Sequence, residues 1–165
     1  MELVLVRHAI AHERDVRRWP DDAARPLSPK GELRARQACA GLRRLLPSPL
    51  RLYTSPLLRT RQTAQLLSRY AGWPRPIACA ALAPGTPPEE LFALLRRGPQ
   101  RLALVGHEPD LGELLSLCVG ARTAIAFKKM GVARVNFRGP PAAGRGQLLC
   151  FLPPRTLRAA APARR

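Results

Sequence analysis

The chain has no apolar run long enough to cross a membrane, and aromatic residues make up only 5% of its 165 residues. A membrane-spanning helix needs about 20 consecutive apolar residues. The scarcity of aromatics and the lack of a recognisable nucleic-acid motif argue against a nucleic-acid binder. Glu2 and the four apolar residues before Arg7 do not resemble a signal peptide. We therefore expect a soluble protein whose partner is neither a membrane nor a nucleic acid.

Cysteine pairs are also missing. Cys39, Cys79, Cys118 and Cys150 lie far apart, with no Cys-x-x-Cys spacing and no flanking ligand histidines. This pattern predicts neither a disulfide framework nor a zinc site, and it favours small buried apolar side chains. A reducing, cytoplasmic setting fits such cysteines best.

Acidic residues are scarce: 11 Asp and Glu face 28 Lys and Arg, which gives a net charge of +17. A field of this sign attracts anions such as phosphoryl groups, acidic protein faces or nucleic acid. Arginines also accumulate on solvated helix faces without any partner, so the net charge alone leaves the function open. The length and the apolar fraction of 46% indicate one packed globular domain.

Short apolar runs alternate with helical patterns along the chain. Ser28-Pro29 opens a helix, because Ser28 can cap it and proline suits the first turn. Strands are predicted at residues 3–7, 50–54, near 77, 102–106, 132–137 and 147–152, and helices at 29–46, 55–71, 88–97 and 110–119. This alternation predicts an α/β fold, a three-layer αβα sandwich with a mostly parallel central sheet. We expect a single domain over residues 1–152, followed by a flexible basic tail at 153–165.

Polar residues follow three of the predicted strands at the point where each strand ends. Arg7 and His8 follow the first, Thr54-Ser55 and then Arg59 follow the second, and His107 follows the fourth. Open α/β sheets bind their ligands at this edge. Arg25, in the loop before the first helix, can reach the same edge. Guanidinium groups match phosphoryl oxygens two at a time, so a phosphoryl group is the natural ligand.

An imidazole among such cations has its protonated form disfavoured, which keeps one nitrogen free near neutral pH. A histidine of this kind can attack phosphorus and carry the group covalently. The arginines and a second, protonated imidazole would stabilise charge on the phosphoryl oxygens. This scheme requires no metal or other cofactor.

Four segments together resemble the histidine phosphatase superfamily, whose fold is also that of the phosphoglycerate mutases. Ala9 stands where many members of the superfamily have glycine. The segments occur in the family's order and are Leu-Val-Arg-His (5–8), Arg-Pro-Leu-Ser-Pro-Lys-Gly (25–31), Thr-Ser-Pro-Leu-Leu-Arg-Thr-Arg-Gln-Thr (54–63) and Val-Gly-His-Glu-Pro (105–109). The short chain is most similar to the SixA branch, the protein phosphohistidine phosphatases.

The resemblance implies a role for each matching residue. His8 would be the nucleophile that becomes phosphorylated, and Arg7, Arg59 and His107 would bind the phosphoryl group. Arg25 matches the arginine of the Arg-Pro-Leu segment, which lines the same pocket in that branch.

Members of the superfamily that act on alkyl phosphates carry a glutamate general acid before the middle helix. The corresponding segment here, residues 79–84, contains no carboxylate. An alkoxide needs a proton as it leaves, whereas an imidazole leaving a phosphohistidine needs much less help. Asp22 matches an aspartate of the SixA-type loop and is a candidate proton donor. Glu89 and Glu90 are rivals, although their place at a helix start is better explained by pairing with the helix dipole.

The sequence therefore predicts a metal-independent phosphatase that hydrolyses phosphohistidine on a protein through a covalent intermediate on His8. One alternative is a small-molecule phosphatase of the same superfamily, acting on nucleotides, sugar phosphates or polyphosphate. Another is a non-catalytic module that binds phosphate or nucleic acid. His12 is expected in a loop bordering the pocket, and Arg61, Lys128 and Lys129 are expected on the surface. The sequence does not indicate an oligomeric state.

Overall fold

A computed structural model of the chain describes residues 1–163. These residues form six strands and five α-helices. The strands are β1 (Glu2–Arg7), β2 (Arg51–Thr54), β3 (Pro76–Ala78), β4 (Arg101–Gly106), β5 (Val132–Phe137) and β6 (Gly146–Leu152). The helices are α1 (Pro29–Leu45), α2 (Leu58–Ala71), α3 (Pro88–Arg97), α4 (Asp110–Val119) and α5 (Pro154–Ala159).

The strands form one sheet in the order β3-β2-β4-β1-β5-β6. β1, β2, β3 and β4 are parallel, whereas β5 pairs antiparallel with both β1 and β6. The prediction of an α/β fold with a mostly parallel sheet is therefore confirmed. β1 and β4 lie at the centre and read as continuous apolar runs because both faces of the sheet are covered there.

Alternate residues of the central strands point into two cores, since side chains along a strand alternate between its faces. Val4 and Val6 of β1 pack with α1, α2 and α5 on one face. Leu3 and Leu5 pack with α3 and α4 on the other face. The molecule thus has the three layers that the sequence predicts.

The loop between β1 and α1 is held close to the start of α1. Ser28 caps α1 by accepting a hydrogen bond from the backbone N–H of Gly31 at 3.1 Å. A Cβ atom at Gly31 would lie 1.8 Å from the carbonyl oxygen of Ile10, so only glycine allows this approach. The contact fixes the segment that follows His8 against the first helix.

α2 begins three residues later than predicted. The backbone N–H of Ser55 donates to the carbonyl of Val105 at 3.0 Å, which prolongs the pairing of β2 with β4 past Thr54. Residues 55–57 consequently stay outside the helix, which starts at Leu58. This extension keeps Ser55 at the sheet edge.

The prediction of a flexible tail from residue 153 is wrong for most of that segment. Pro154–Ala159 forms α5, and Leu157 is fully buried against α1. A Cβ atom at Gly41 of α1 would lie 1.8 Å from the carbonyl oxygen of Leu157, so the close packing of α5 against α1 requires glycine at position 41. Residues 164 and 165 of the predicted tail lie outside the described residues.

All four cysteines are free thiols. Cys39 and Cys118 are buried as predicted, whereas Cys79 and Cys150 are only half-buried. Among the described helices, none combines the length and the apolar character that a bilayer crossing requires.

Candidate active site

The predicted site residues meet at the carboxyl edge of three neighbouring strands. Arg7 ends β1 and is followed by His8, while His107 follows β4 and Ser55 follows β2. Because β2, β4 and β1 are adjacent and parallel, their carboxyl ends bring these residues to one place. His8 and His107 are 7% and 3% exposed, and their ring centroids lie 5.3 Å apart.

The His8 ring is oriented by a backbone contact. Its Nδ1 lies 2.6 Å from the carbonyl oxygen of Ala9, which can only accept a hydrogen bond. The proton of the neutral ring is therefore assigned to Nδ1, and Nε2 keeps its lone pair. Thr63 fixes the same segment, because its hydroxyl oxygen accepts a hydrogen bond from the backbone N–H of Ala9 at 3.0 Å.

Both imidazoles are neutral at pH 7. Burial first of all, and the charges of Arg59 and Arg7 in addition, lower the pKa of His8 to about 3. Burial and the same arginines lower the pKa of His107 to about 4. Without an anion in the site the second imidazole is therefore neutral, because the charge of Asp22 only partly offsets desolvation and the neighbouring cations, and its expected protonation beside a phosphoryl group stays a prediction.

The second imidazole has a hydroxyl partner. Nε2 of His107 lies 2.8 Å from the hydroxyl oxygen of Ser55, which is fully buried. Nδ1 of His107 is buried and has no hydrogen-bond partner among the described residues. One ring nitrogen of His107 is thus held by the protein and the other is left for a ligand.

Two guanidinium groups, from the half-buried Arg7 and the buried Arg59, flank the histidines. Arg7 donates through Nη1 to the carbonyl oxygen of Phe127, and Arg59 donates through Nη1 to the carbonyl oxygen of Asp22 at 2.9 Å. The Nε–H groups of both arginines are buried and unpartnered among the described residues. Desolvated cations with free donors attract an anion strongly.

Asp22 is an ion-pair partner of two arginines. One carboxylate oxygen accepts from Nε of Arg25 at 2.8 Å, and the other lies 3.1 Å from Nη1 of Arg59. The hydrogen bond from Arg25, aided by the charge of Arg59, lowers the pKa of Asp22. In the site without an anion these contacts favour the ionised form of Asp22, and its predicted role as a proton donor stays a prediction. Its contacts are those of a residue that positions Arg25 and Arg59.

Arg25 lies in the same cluster as the sequence predicts. Besides Asp22, it contacts the backbone carbonyl of His12, which accepts from Nη1 at 2.6 Å. The His12 ring stacks at 5.0 Å from the Trp19 ring in the loop after β1.

Glu89 and Glu90, the rival proton donors, are exposed in the first turn of α3, where they face the positive end of the helix.

Sequence reasoning missed Glu108. One carboxylate oxygen of Glu108 is buried without a hydrogen-bond partner among the described residues. Burial raises the pKa of Glu108, while the nearby charge of Arg7 lowers it. Its place in the Val-Gly-His-Glu-Pro segment, directly after His107, is the signal that could have found it. Glu108 is thus a half-buried carboxyl beside the site whose charge acts on Arg7.

The assembled side chains suit a tetrahedral dianion. Two neutral imidazoles meet the guanidiniums of Arg7 and Arg59, and Arg25 is held beside them by Asp22. Guanidinium forks match phosphoryl oxygens in geometry and charge. Within residues 1–163, no three His, Cys, Asp or Glu side chains come together as a metal-ligand set.

Comparison with known proteins agrees with this arrangement. The family model described as histidine phosphatase superfamily (branch 1) matches residues 3–83. An uncharacterized protein of Picosynechococcus sp. is 38% identical over 138 residues, which cover 80% of this chain and 82% of that protein. The chain belongs to the histidine phosphatase superfamily.

Solved structures show the same fold. The protein histidine phosphatase SixA, complexed with tungstate, superposes with a TM-score of 0.80 at 23% identity, covering 95% of this chain and 99% of that chain. The phosphoserine phosphatase of Entamoeba histolytica, in complex with 3-phosphoglyceric acid, gives a TM-score of 0.70 at 15% identity, covering 94% and 98%. The fold is thus the histidine phosphatase fold, shared by phosphatases with different named substrates.

The lowered imidazole pKa values predict a loss of stability in acid. In the unfolded chain both imidazoles have the ordinary pKa and bind protons below about pH 6.5. In the native protein they stay unprotonated until the pH approaches their lowered pKa values of about 3 and about 4. The free energy of unfolding should therefore fall by about 2 kcal/mol per imidazole between about pH 8 and pH 5.

Urea unfolding of the wild type and His8→Gln at both pH values measures this effect. The variant should lose less stability in acid than the wild type, by about the contribution of one imidazole. Equal losses in the two proteins would show that His8 does not resist protonation in the native state.

Proposed function

We propose that this protein is a phosphatase that removes phosphoryl groups from phosphohistidine on a protein, with His8 as the covalent nucleophile. The observation that carries the proposal is the His8 imidazole itself. It is buried, unprotonated and tied through Nδ1 to Ala9, which leaves Nε2 free between the guanidiniums of Arg7 and Arg59.

In the first step, Nε2 of His8 attacks the phosphorus atom of the substrate. A new P–N bond forms to His8 as the P–N bond of the substrate phosphohistidine breaks. The departing imidazole takes a proton from solvent. Arg7, Arg59 and His107 stabilise the charge on the equatorial phosphoryl oxygens, with Arg25 at the edge of the cluster.

In the second step, a water molecule attacks the phosphohistidine on His8. The P–Nε2 bond breaks, inorganic phosphate forms, and the imidazole returns to its starting state. A bound phosphoryl dianion offsets the charges of Arg7 and Arg59 and so raises the pKa of His107 above its value in the free site. His107 can then gain a proton and donate a hydrogen bond to the anion through Nδ1.

The carboxyl groups near the site indicate which kind of leaving group the protein can expel. Neither Asp22, whose pKa the arginines lower, nor Glu108, whose pKa burial raises, lies in the segment after β3. The segment after β3, where superfamily members acting on alkyl esters resemble each other in having a glutamate, forms a short turn at Ala80–Leu82 without a carboxylate. A general acid contributes about 10²–10⁴-fold to the expulsion of a poor leaving group. The missing acid thus favours a phosphoramidate substrate.

The likeness to SixA, a protein histidine phosphatase by name, supports this proposal. The likeness to a phosphoserine phosphatase supports a second candidate function, that of a small-molecule phosphatase with the same nucleophile. Metal independence belongs to the same proposal, because each step uses only side chains and water.

Substrate preference tests the proposal. We expect kcat/KM for a phosphohistidine peptide to exceed that for the matching phosphoserine peptide by about 10²-fold or more, because only the ester needs a general acid. Rates with His8→Ala give the background to subtract, since phosphohistidine also hydrolyses without enzyme. Equal or faster turnover of the phosphoserine peptide would replace the proposal with the small-molecule alternative.

A further inference from the structure

A groove lies between α2 and the edge strand β3, outside the histidine cluster. Its volume is about 480 Å³. Three arginines line it: Arg61 and Arg69 from α2, and Arg75 from the segment just before β3. We call it the α2–β3 groove.

The groove reaches residues beside the candidate active site. Thr54 and Pro56 line it, and they flank Ser55, whose hydroxyl contacts His107. The lining then follows α2 from Arg61 to Arg69, which lie eight positions apart, or about 12 Å along the helix axis. A peptide bound at the active site is therefore within reach of the groove.

The groove carries positive charge that the protein does not neutralise. None of the described residues that line it is acidic. The ion pairs found within residues 1–163 involve neither Arg61, Arg69 nor Arg75. All three arginines are exposed, and Arg69 lies 5.5 Å from the centre of the Tyr70 ring. The guanidiniums are free to bind an anionic partner.

We propose that the α2–β3 groove docks an acidic, extended segment of the phosphoprotein substrate, next to its phosphohistidine. This inference rests on the proposed function. Arginines recognise carboxylates through paired hydrogen bonds, and charge complementarity of this kind speeds encounter and selects partners. About four extended residues, at about 3.3 Å each, span the lined part of α2. The described lining residues include no aromatic ring, which disfavours a single-stranded nucleic acid.

Charge reversal tests the groove. The variant Arg61→Glu/Arg75→Glu is compared with Arg97→Glu/Arg122→Glu, which makes the same change in net charge at two exposed positions, the last residue of α3 and the loop after α4. The substrates are synthetic phosphohistidine peptides flanked by either glutamates or glutamines. We expect the groove variant to lose about tenfold or more in kcat/KM for the glutamate peptide, and nothing for the glutamine peptide. The control should keep both activities, and added salt should shrink the difference.

A second measurement separates this inference from the proposed function. Binding of fluorescent, unphosphorylated glutamate and glutamine peptides, followed by anisotropy, reports on the groove even if no phosphoramidate is hydrolysed. Preferential binding of the glutamate peptide that Arg61→Glu/Arg75→Glu abolishes supports the groove. Equal loss in both double variants, or no preference for glutamate in the wild type, would overturn it. Absence of phosphoramidate hydrolysis by the wild type would overturn the proposed function instead.

Discussion

Replacing His8 with alanine is expected to lower kcat/KM for a small phosphoramidate by about 10⁴-fold or more. The reason is that the reaction in two steps needs a nucleophile that accepts the phosphoryl group, and no neighbouring side chain can take this role. His107 lies 5.3 Å away between ring centres, but its Nε2 is engaged by Ser55. The remaining arginines would still bind the substrate, so the loss should fall mainly on kcat.

His12→Ala is the matched control for this variant. It also removes an imidazole, but one that stacks on Trp19 outside the histidine cluster, and it should keep most of the wild-type activity. Thermal unfolding of both variants checks that they are folded. If His8→Ala retained more than about a tenth of the wild-type rate, the covalent scheme would be refuted.

Replacing Arg59 with alanine is expected to reduce kcat/KM by about 10²–10³-fold. Arg59 is the second residue of α2, is only 5% exposed, and forms an ion pair with Asp22. Its loss removes a buried donor to the phosphoryl group and leaves Asp22 as a carboxylate beside the incoming dianion. Weaker inhibition by tungstate, a tetrahedral oxyanion, should accompany the loss of rate.

Arg59→Lys sharpens this second prediction. Lysine keeps the charge but has no planar fork, so it should restore only a small part of the activity. Arg34→Ala, at an exposed position on α1, controls for the loss of one positive charge. Full activity in Arg59→Lys would mean that Arg59 acts only through its charge in the general field.

The fold was largely predictable because its signals are local. The apolar runs at β1 and β4 are buried on both faces, and Ser28 caps α1 as its side chain allows. The segment now seen as α5 was missed because its stability depends on a distant contact, between Leu157 and the backbone of Gly41. A stretch of proline, alanine and arginine gives no local sign of such a contact.

The residues that form the site were predictable from the sequence, whereas the protonation states of Asp22 and His107 were not. Strand ends brought Arg7, His8 and His107 together because parallel neighbours finish at one edge. The lowered pKa of Asp22 depends on the distances from its carboxylate to Arg25 and Arg59, and the neutral state of His107 depends on its burial and on its distances to Arg59 and Arg7. Such distances do not exist in a linear sequence. The catalytic roles of these residues, including that of Arg25 as a phosphate ligand, stay predictions for the variants above.

Nε2 of His8 is proposed to carry the phosphoryl group during turnover. Rapid quenching with a ³²P-labelled phosphoramidate, followed by peptide mapping, detects this intermediate. We predict an acid-labile, alkali-stable phosphate on His8 that forms and decays at the rate of turnover and is absent from His8→Ala. Turnover without any labelled intermediate, or label on His107 instead, would contradict the account.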